Sequence, residues 1–157
     1  MDVAESIILL IKAFLPSRTF SIQSIYLHYL HTQIKTHEGR SADSRLYKTT
    51  RPGDVVRLVD EYGRWALFIR EDACMHHSMQ TFLTCNKHPH LLPNITDINT
   101  QKNIYAEFGV TDVAAECYGV VAIRLRPFTP LCMDLHDIIA VMIFVLLVLL
   151  LILDLTR

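Results

Sequence analysis

Six side chains able to ligate a transition metal crowd into one short stretch: Cys74, His76, His77, Cys85, His88 and His90. Zinc takes four such ligands in a tetrahedral array, so a Cys/His zinc-binding module is one chemistry this segment offers. Against it, the pairs Cys74-x-His76 and Cys85-x-x-His88 do not follow a zinc-finger spacing. Side-chain alternation along a strand would also turn His76 and His77 to opposite faces. The sequence therefore assigns no metal ligands and calls for no cofactor. His28 and His31 lie three apart without a third ligand and read as surface residues. The 4 cysteines, at 74, 85, 117 and 132, include no CxxC pair, so they read as thiols rather than a disulfide framework. There is no phosphate-cradling glycine loop and no GxSxG elbow, and 5 glycines leave little room for either.

Charge removes a further class of function. Lys and Arg total 15 against 16 Asp and Glu, and a net charge of -1 supplies no electrostatic footprint for nucleic acid. With 51% hydrophobic residues the 157-residue chain is too apolar to be disordered and too short for several domains. One small domain plus an apolar segment is expected.

That segment is at the C-terminal end, where Ile138 to Leu153 reads IIAVMIFVLLVLLLIL without a polar residue. A bilayer core needs about 20 mainly apolar residues, and Leu135 to Leu155 meets this if His136, Asp137 and Asp154 lie at the interfaces. A single-pass transmembrane anchor over 135–155 follows, in a tail-anchored layout. Arg124 and Arg126 upstream favour a cytosolic N-terminal domain. Ile7 to Leu15 is apolar but short, holds Lys12 and follows Asp2 and Glu5, so it reads as a docked or interfacial helix ending at Pro16 rather than a signal peptide. A cytosolic side would leave the Asn94-Ile95-Thr96 sequon unused.

The remaining elements must position whatever chemistry exists. Between Ser21 and Lys35, Ile22, Ile25, Tyr26, Tyr29, Leu30 and Ile34 fall at helical spacing, with Ser21 as a cap. Residues 36–50 are polar and unpatterned and read as a solvated linker, with a boundary near residue 50. After Pro52-Gly53-Asp54, the runs Val55 to Val59 and Arg64 to Ile69 flank a Gly63-containing turn and predict a hairpin. A second turn at Arg70-Glu71-Asp72 would lead to a third antiparallel strand at Ala73 to His77. Thr81 to Lys102 carries loop signals only. Thr111 or Asp112 caps a predicted helix through Cys117, and Val120 to Leu125 is open between helix and strand. The resulting division is an N-terminal helical extension and linker over 1–50, an α+β domain over 51–130 and the anchor.

The run RPGDVVRLVDEYGRWALFIREDACMHH resembles the opening of the lecithin:retinol acyltransferase-like family, which includes membrane-anchored phospholipase A/acyltransferases and picornaviral H-box proteins. Pro52, Gly53 and Asp54 match its opening, Trp65 to Ile69 its second strand, and His76 stands where the family's second histidine is expected. Cys117 stands where the family carries its acyl-accepting nucleophile, although the residues around it differ. The resemblance implies an α+β fold with a small antiparallel sheet and helices, papain-like in the NlpC-type permuted arrangement, followed by the C-terminal transmembrane helix. It also implies a thiol acyltransferase or phospholipase A acting on membrane phospholipid, with Cys117 attacking the ester and His76 as base. The family's usual base is replaced by Arg64, whose guanidinium stays protonated and cannot accept that proton. A catalytically inactive, membrane-bound adaptor or binding module is the alternative the same replacement implies.

Overall fold

The computed structural model describes residues 18–88 and 91–128, together with Ile143. The fold is that of the compact unit Lys12–Phe128. Ten elements follow one another: β1 (Thr19–Ser21), α1 (Ser24–His31), β2 (His37–Ser41), α2 (Arg45–Thr49), β3 (Val55–Val59), β4 (Trp65–His76), α3 (Met79–Leu83), α4 (Ile98–Glu107), α5 (Asp112–Tyr118) and β5 (Val120–Pro127). The α+β class is as expected. The strands form one sheet in the order β1-β3-β4-β5-β2. It is mixed rather than antiparallel throughout, because β1 runs parallel to β3 with Phe20 opposite Leu58.

The expected boundary near residue 50 does not divide this fold. β1 and β2 both precede it and form the two edges of the sheet, β2 pairing antiparallel with β5 from His37 opposite Arg124 to Ser41 opposite Val120. Nor is 36–50 a solvated linker: Glu38, Leu46 and Thr50 are buried there. A polar strand looks like a loop when its hydrogen-bonding partner lies some eighty residues away. The helix is also shorter than the periodicity suggested. Ser21 belongs to β1, Gln23 is the N-cap, and Leu27 and Leu30 are buried while Ile25 and Ile34 are half exposed.

The predicted β3–β4 hairpin is present, with Val55 opposite Ile69 and Val59 opposite Trp65. No turn follows it. Arg70 to Asp72 is a β-bulge inside one continuous strand, whose second half pairs with β5. A bulge bends a strand without ending it, and here it buries Arg70, whose Nη1 donates to the Thr50 carbonyl and, at 3.0 Å, to Thr50 Oγ1.

Thr81 to Lys102, expected to be loop, contains the end of α3 and the start of α4. Asp97 caps α4, its carboxylate accepting from Thr100 N at 2.7 Å, and Thr111 caps α5 through Ala114 N at 3.2 Å. α5 and β5 coexist because Gly119, at φ +86°, lets the chain turn out of the helix directly into the strand. Val120 to Leu125 shows little alternation apart from Arg124 because both faces of β5 are covered. Val121, Ile123 and Leu125 join Leu27, Leu30, Val56 and Phe68 on one side, whereas Val120 and Ala122 join Met79, Phe82, Leu92 and Tyr105 on the other. Among the described residues no helix is long and apolar enough to cross a membrane. The expected anchor over 135–155 (apart from Ile143) and the expected helix at 7–15 lie outside them.

Candidate functional site

The two edge strands of the sheet approach each other, since Arg40 of β2 donates through Nη2 to the carbonyl of Ser21 at the end of β1, at 2.8 Å. The sheet is therefore curled. At this seam lies a cavity of about 670 Å³, lined by Ile22 just after β1, by Tyr26 of α1, by Lys35, Glu38 and Arg40 around β2, and by Leu92, Ile104 and Tyr105. Most of its wall area is apolar, and Asp43, Asp60 and Glu61 add charged groups to Lys35, Glu38 and Arg40 in the lining.

Lys35, Glu38 and Arg40 form an ion triad in which the first two are buried and Arg40 is half-buried. Lys35, only 2% exposed, places Nζ 3.1 Å from Glu38 Oε2, donates to the Leu91 carbonyl at 2.6 Å, and sits 4.6 Å above the Tyr26 ring. Glu38 is 6% exposed, and its Oε1 lies 2.9 Å from Arg40 Nε. Burial opposes ionisation of the Glu38 carboxyl, but Lys35 and Arg40 with their hydrogen bonds outweigh it and hold the group below its ordinary range. Burial also lowers Lys35, an effect Glu38 partly offsets. Two cations meet one carboxylate, so the triad has spare donors. A third donor is the Tyr105 hydroxyl, which is buried, has no hydrogen-bond partner among the described residues, and is held protonated by burial and then by the charge of Glu38.

Strand alternation makes room for this arrangement. Gly39, between Glu38 and Arg40, faces the other way, and a Cβ there would stand 2.8 Å from both Phe82 Cζ and Tyr105 Cε1. Tyr105 can reach the cavity wall because position 39 has no side chain. Lys35, Glu38, Arg40 and Tyr105 were all missed by sequence reasoning. The available signal was the period-two alternation His37, Gly39, Ser41 against Glu38, Arg40, which suits a strand better than a linker.

The sequence-predicted site residues lie elsewhere. Cys117 is an exposed free thiol on α5 and makes no hydrogen bond among the described residues. His76 ends β4, half-buried, while His77 is exposed. No hydrogen bond joins His76 to Cys117; its Nε2 lies 2.9 Å from Nε2 of His88 instead. Arg64 is engaged by Asp60, Nε to Oδ2 at 2.7 Å, with its guanidinium over Tyr62. Of the six clustered ligand-type residues, the fold brings Cys74, His76 and His88 together, one donor atom of each within 4.8 Å of the others. His77 and Cys85 are not in that group, and His90 lies outside the described residues. Burial, then the neighbouring His76 and His37, push His88 down to about 4, and burial with the nearby Lys87 lowers His76. Both shifts favour the neutral imidazole.

No family model matches this chain, and no curated protein matches it. Two solved structures are similar to it. One is the crystal structure of hypothetical protein PH0355, at 24% identity and a TM-score of 0.57, the match covering 70% of this chain and 97% of that one. The other is the solution NMR structure of protein PF0455 from Pyrococcus furiosus, also at 24% identity and TM-score 0.57, covering 71% and 96%. At this identity the likeness shows a shared fold, and the chemistry rests on the side chains described above.

Proposed function

We propose that this chain is a membrane-held binding protein whose cavity at the β1–β2 seam takes a small molecule with a flat polar group, of the amide or heteroaromatic kind, on an apolar body. The observation that carries this reading is the ion triad of buried Lys35 and Glu38 with half-buried Arg40 in the cavity wall, together with the Tyr105 hydroxyl, which lines the same cavity and has no hydrogen-bond partner among the described residues. A buried polar cluster of this kind is costly to the fold unless its remaining hydrogen-bonding capacity is used. A ligand acceptor would meet Lys35 and Tyr105, and a ligand donor would meet the free lone pairs of Glu38. The apolar and aromatic walls supply area, the usual division of labour in small-molecule sites.

Tyr105→Phe tests this reading. Removing an unpaired buried hydroxyl should leave the ligand-free protein as stable as before or slightly more so. Titration calorimetry with a panel of primary amides, nucleobases and nucleosides should show saturable binding to the wild type, weakened about tenfold by Tyr105→Phe, the equivalent of one hydrogen bond. No binding across the panel, or equal affinity in both proteins, would contradict the reading.

The acyl-transfer expectation asks Cys117 to act with a base that no described hydrogen bond supplies, so binding is the better supported activity. Placement at a membrane rests on the apolar run 138–153. The full chain is expected to stay with membranes through alkaline extraction and to be released when 135–157 is deleted; release of the intact chain would remove the membrane from the proposal.

A further inference from the structure

A second polar cluster stands apart from the ion triad, where the end of β4 meets the loop after α3. Cys74 and His76, two apart on a strand, present their side chains to the same face. His88 comes from the loop that follows α3 and is 2% exposed. We propose that Cys74, His76 and His88 form a three-ligand site for a zinc-class divalent ion.

Three observations carry this. The first is convergence: donor atoms from residues 74, 76 and 88 lie within 4.8 Å of one another, although no continuous motif groups them. A tetrahedral zinc with bonds of ~2.0 Å to nitrogen and ~2.3 Å to sulfur holds such atoms ~3.4 Å apart, so closing on the ion needs shifts of about 1 Å. Cys74 and His76 are only half-buried and have room to make them. The second is the state of His88. Its Nε2 faces the Nε2 of another imidazole at 2.9 Å, and its Nδ1 is buried with no hydrogen-bond partner among the described residues. A buried side chain is rarely left so incompletely satisfied by protein alone. The third is donor type. One thiol and two imidazoles suit zinc and its soft neighbours, and among the described residues no carboxylate joins the group to favour calcium or magnesium.

The surroundings fit such a centre. Phe82 packs its ring 5.9 Å from that of His76 and 5.4 Å from that of His88, closing one side with an apolar wall. His37 stands close by, its ring centroid 5.8 Å from that of His88. Three protein donors leave a fourth tetrahedral position for water or an incoming ligand, the layout of catalytic rather than closed structural zinc sites. Binding would release the Cys74 thiol proton and form a metal–thiolate bond.

The test uses the full chain in detergent, stripped with chelator and titrated with cobalt(II), whose tetrahedral and thiolate complexes are coloured. One equivalent should bind, with visible tetrahedral bands and a near-ultraviolet sulfur-to-cobalt band, and zinc should displace it. Cys74→Ser, a near-isosteric change at a half-buried position, should abolish the sulfur band. His88→Ala should weaken uptake by more than the ~100-fold typical of losing an outer-shell partner. Cys85→Ser should alter neither. The proposal is overturned by no stoichiometric uptake in the wild type, by a sulfur band that survives Cys74→Ser, or by one that vanishes with Cys85→Ser. The wild-type and Cys74→Ser arms decide the matter even if His88→Ala fails to fold.

Discussion

Replacing Glu38 with glutamine is expected to cost the domain about 3–5 kcal/mol, the usual penalty for removing one partner of a buried ion pair. The reason is what stays behind. Lys35, buried in the wild type, would be left with Arg40 close by and no counter-charge, keeping the Leu91 carbonyl, the Tyr26 ring and the neutral amide oxygen of the glutamine. Against a total stability of 5–15 kcal/mol for typical domains, roughly, that is enough to bring the protein near its unfolding threshold. Urea denaturation of wild type and variant measures it directly. A second arm separates charge from packing. In Lys35→Met/Glu38→Gln no orphaned ammonium is left, so the double variant should be more stable than Glu38→Gln alone, a non-additivity that a double-mutant cycle reads. Equal or additive losses would mean the pair contributes only shape.

The pH dependence has a defined sign. The folded Glu38 carboxyl lies below its ordinary value of 4.5, so its stabilisation is present above that value and is lost as pH falls through the folded value. Lys35 is lowered from 10.5, so the folded state gives up that proton more readily than the unfolded chain, and stability from this group rises with pH between the two values. In Glu38→Gln the ammonium loses its main attraction, and the variant should recover part of its deficit at alkaline pH, where Lys35 becomes neutral. A deficit that stays constant from pH 6 upward would argue against this account.

Gly39→Ala should destabilise the domain by about 3 kcal/mol through overpacking alone. The added methyl would stand 2.8 Å from Phe82 Cζ and Tyr105 Cε1, and neither ring is a flexible tip, since both are buried and fixed by helices α3 and α4. The backbone at 39 is ordinary strand, so the cost is steric rather than conformational. A loss of this size lowers the melting temperature by roughly 10 °C or more in a domain near 100 residues. Phe82→Leu in the Gly39→Ala background frees space on one side and should restore part of it. If Gly39→Ala melts with the wild type, the close approach of β2 to α3 and α4 is wrong, and with it the placement of Tyr105 in the cavity wall.

Local signals were legible where a segment's chemistry and its partner lie close in sequence. The hairpin from Val55 to Ile69 declared itself by β-branched runs around Gly63, and the start of α5 was narrowed to a cap at Thr111 or Asp112, of which the fold uses Thr111. The Arg70 to Asp72 turn failed because a charged residue in a strand looks like a turn until Arg70 is seen buried against Thr50. The supposed linker failed for the same reason on a larger scale. Its residues are polar, and what makes them a strand is β5, far along the chain.

By itself the sequence determined the apolar run at 138–153, the near-neutral charge, the central hairpin and the unusual density of Cys and His between 74 and 90. These are properties of composition and short-range periodicity, which need no knowledge of what touches what. Which of those six ligand-type residues meet, that Cys117 and His76 share no hydrogen bond, and that Lys35 and Arg40 converge on the buried Glu38 carboxylate were decided only by tertiary structure. The physical reason is that a curled sheet brings its two edge strands together, and the distance across that seam depends on all five strands at once.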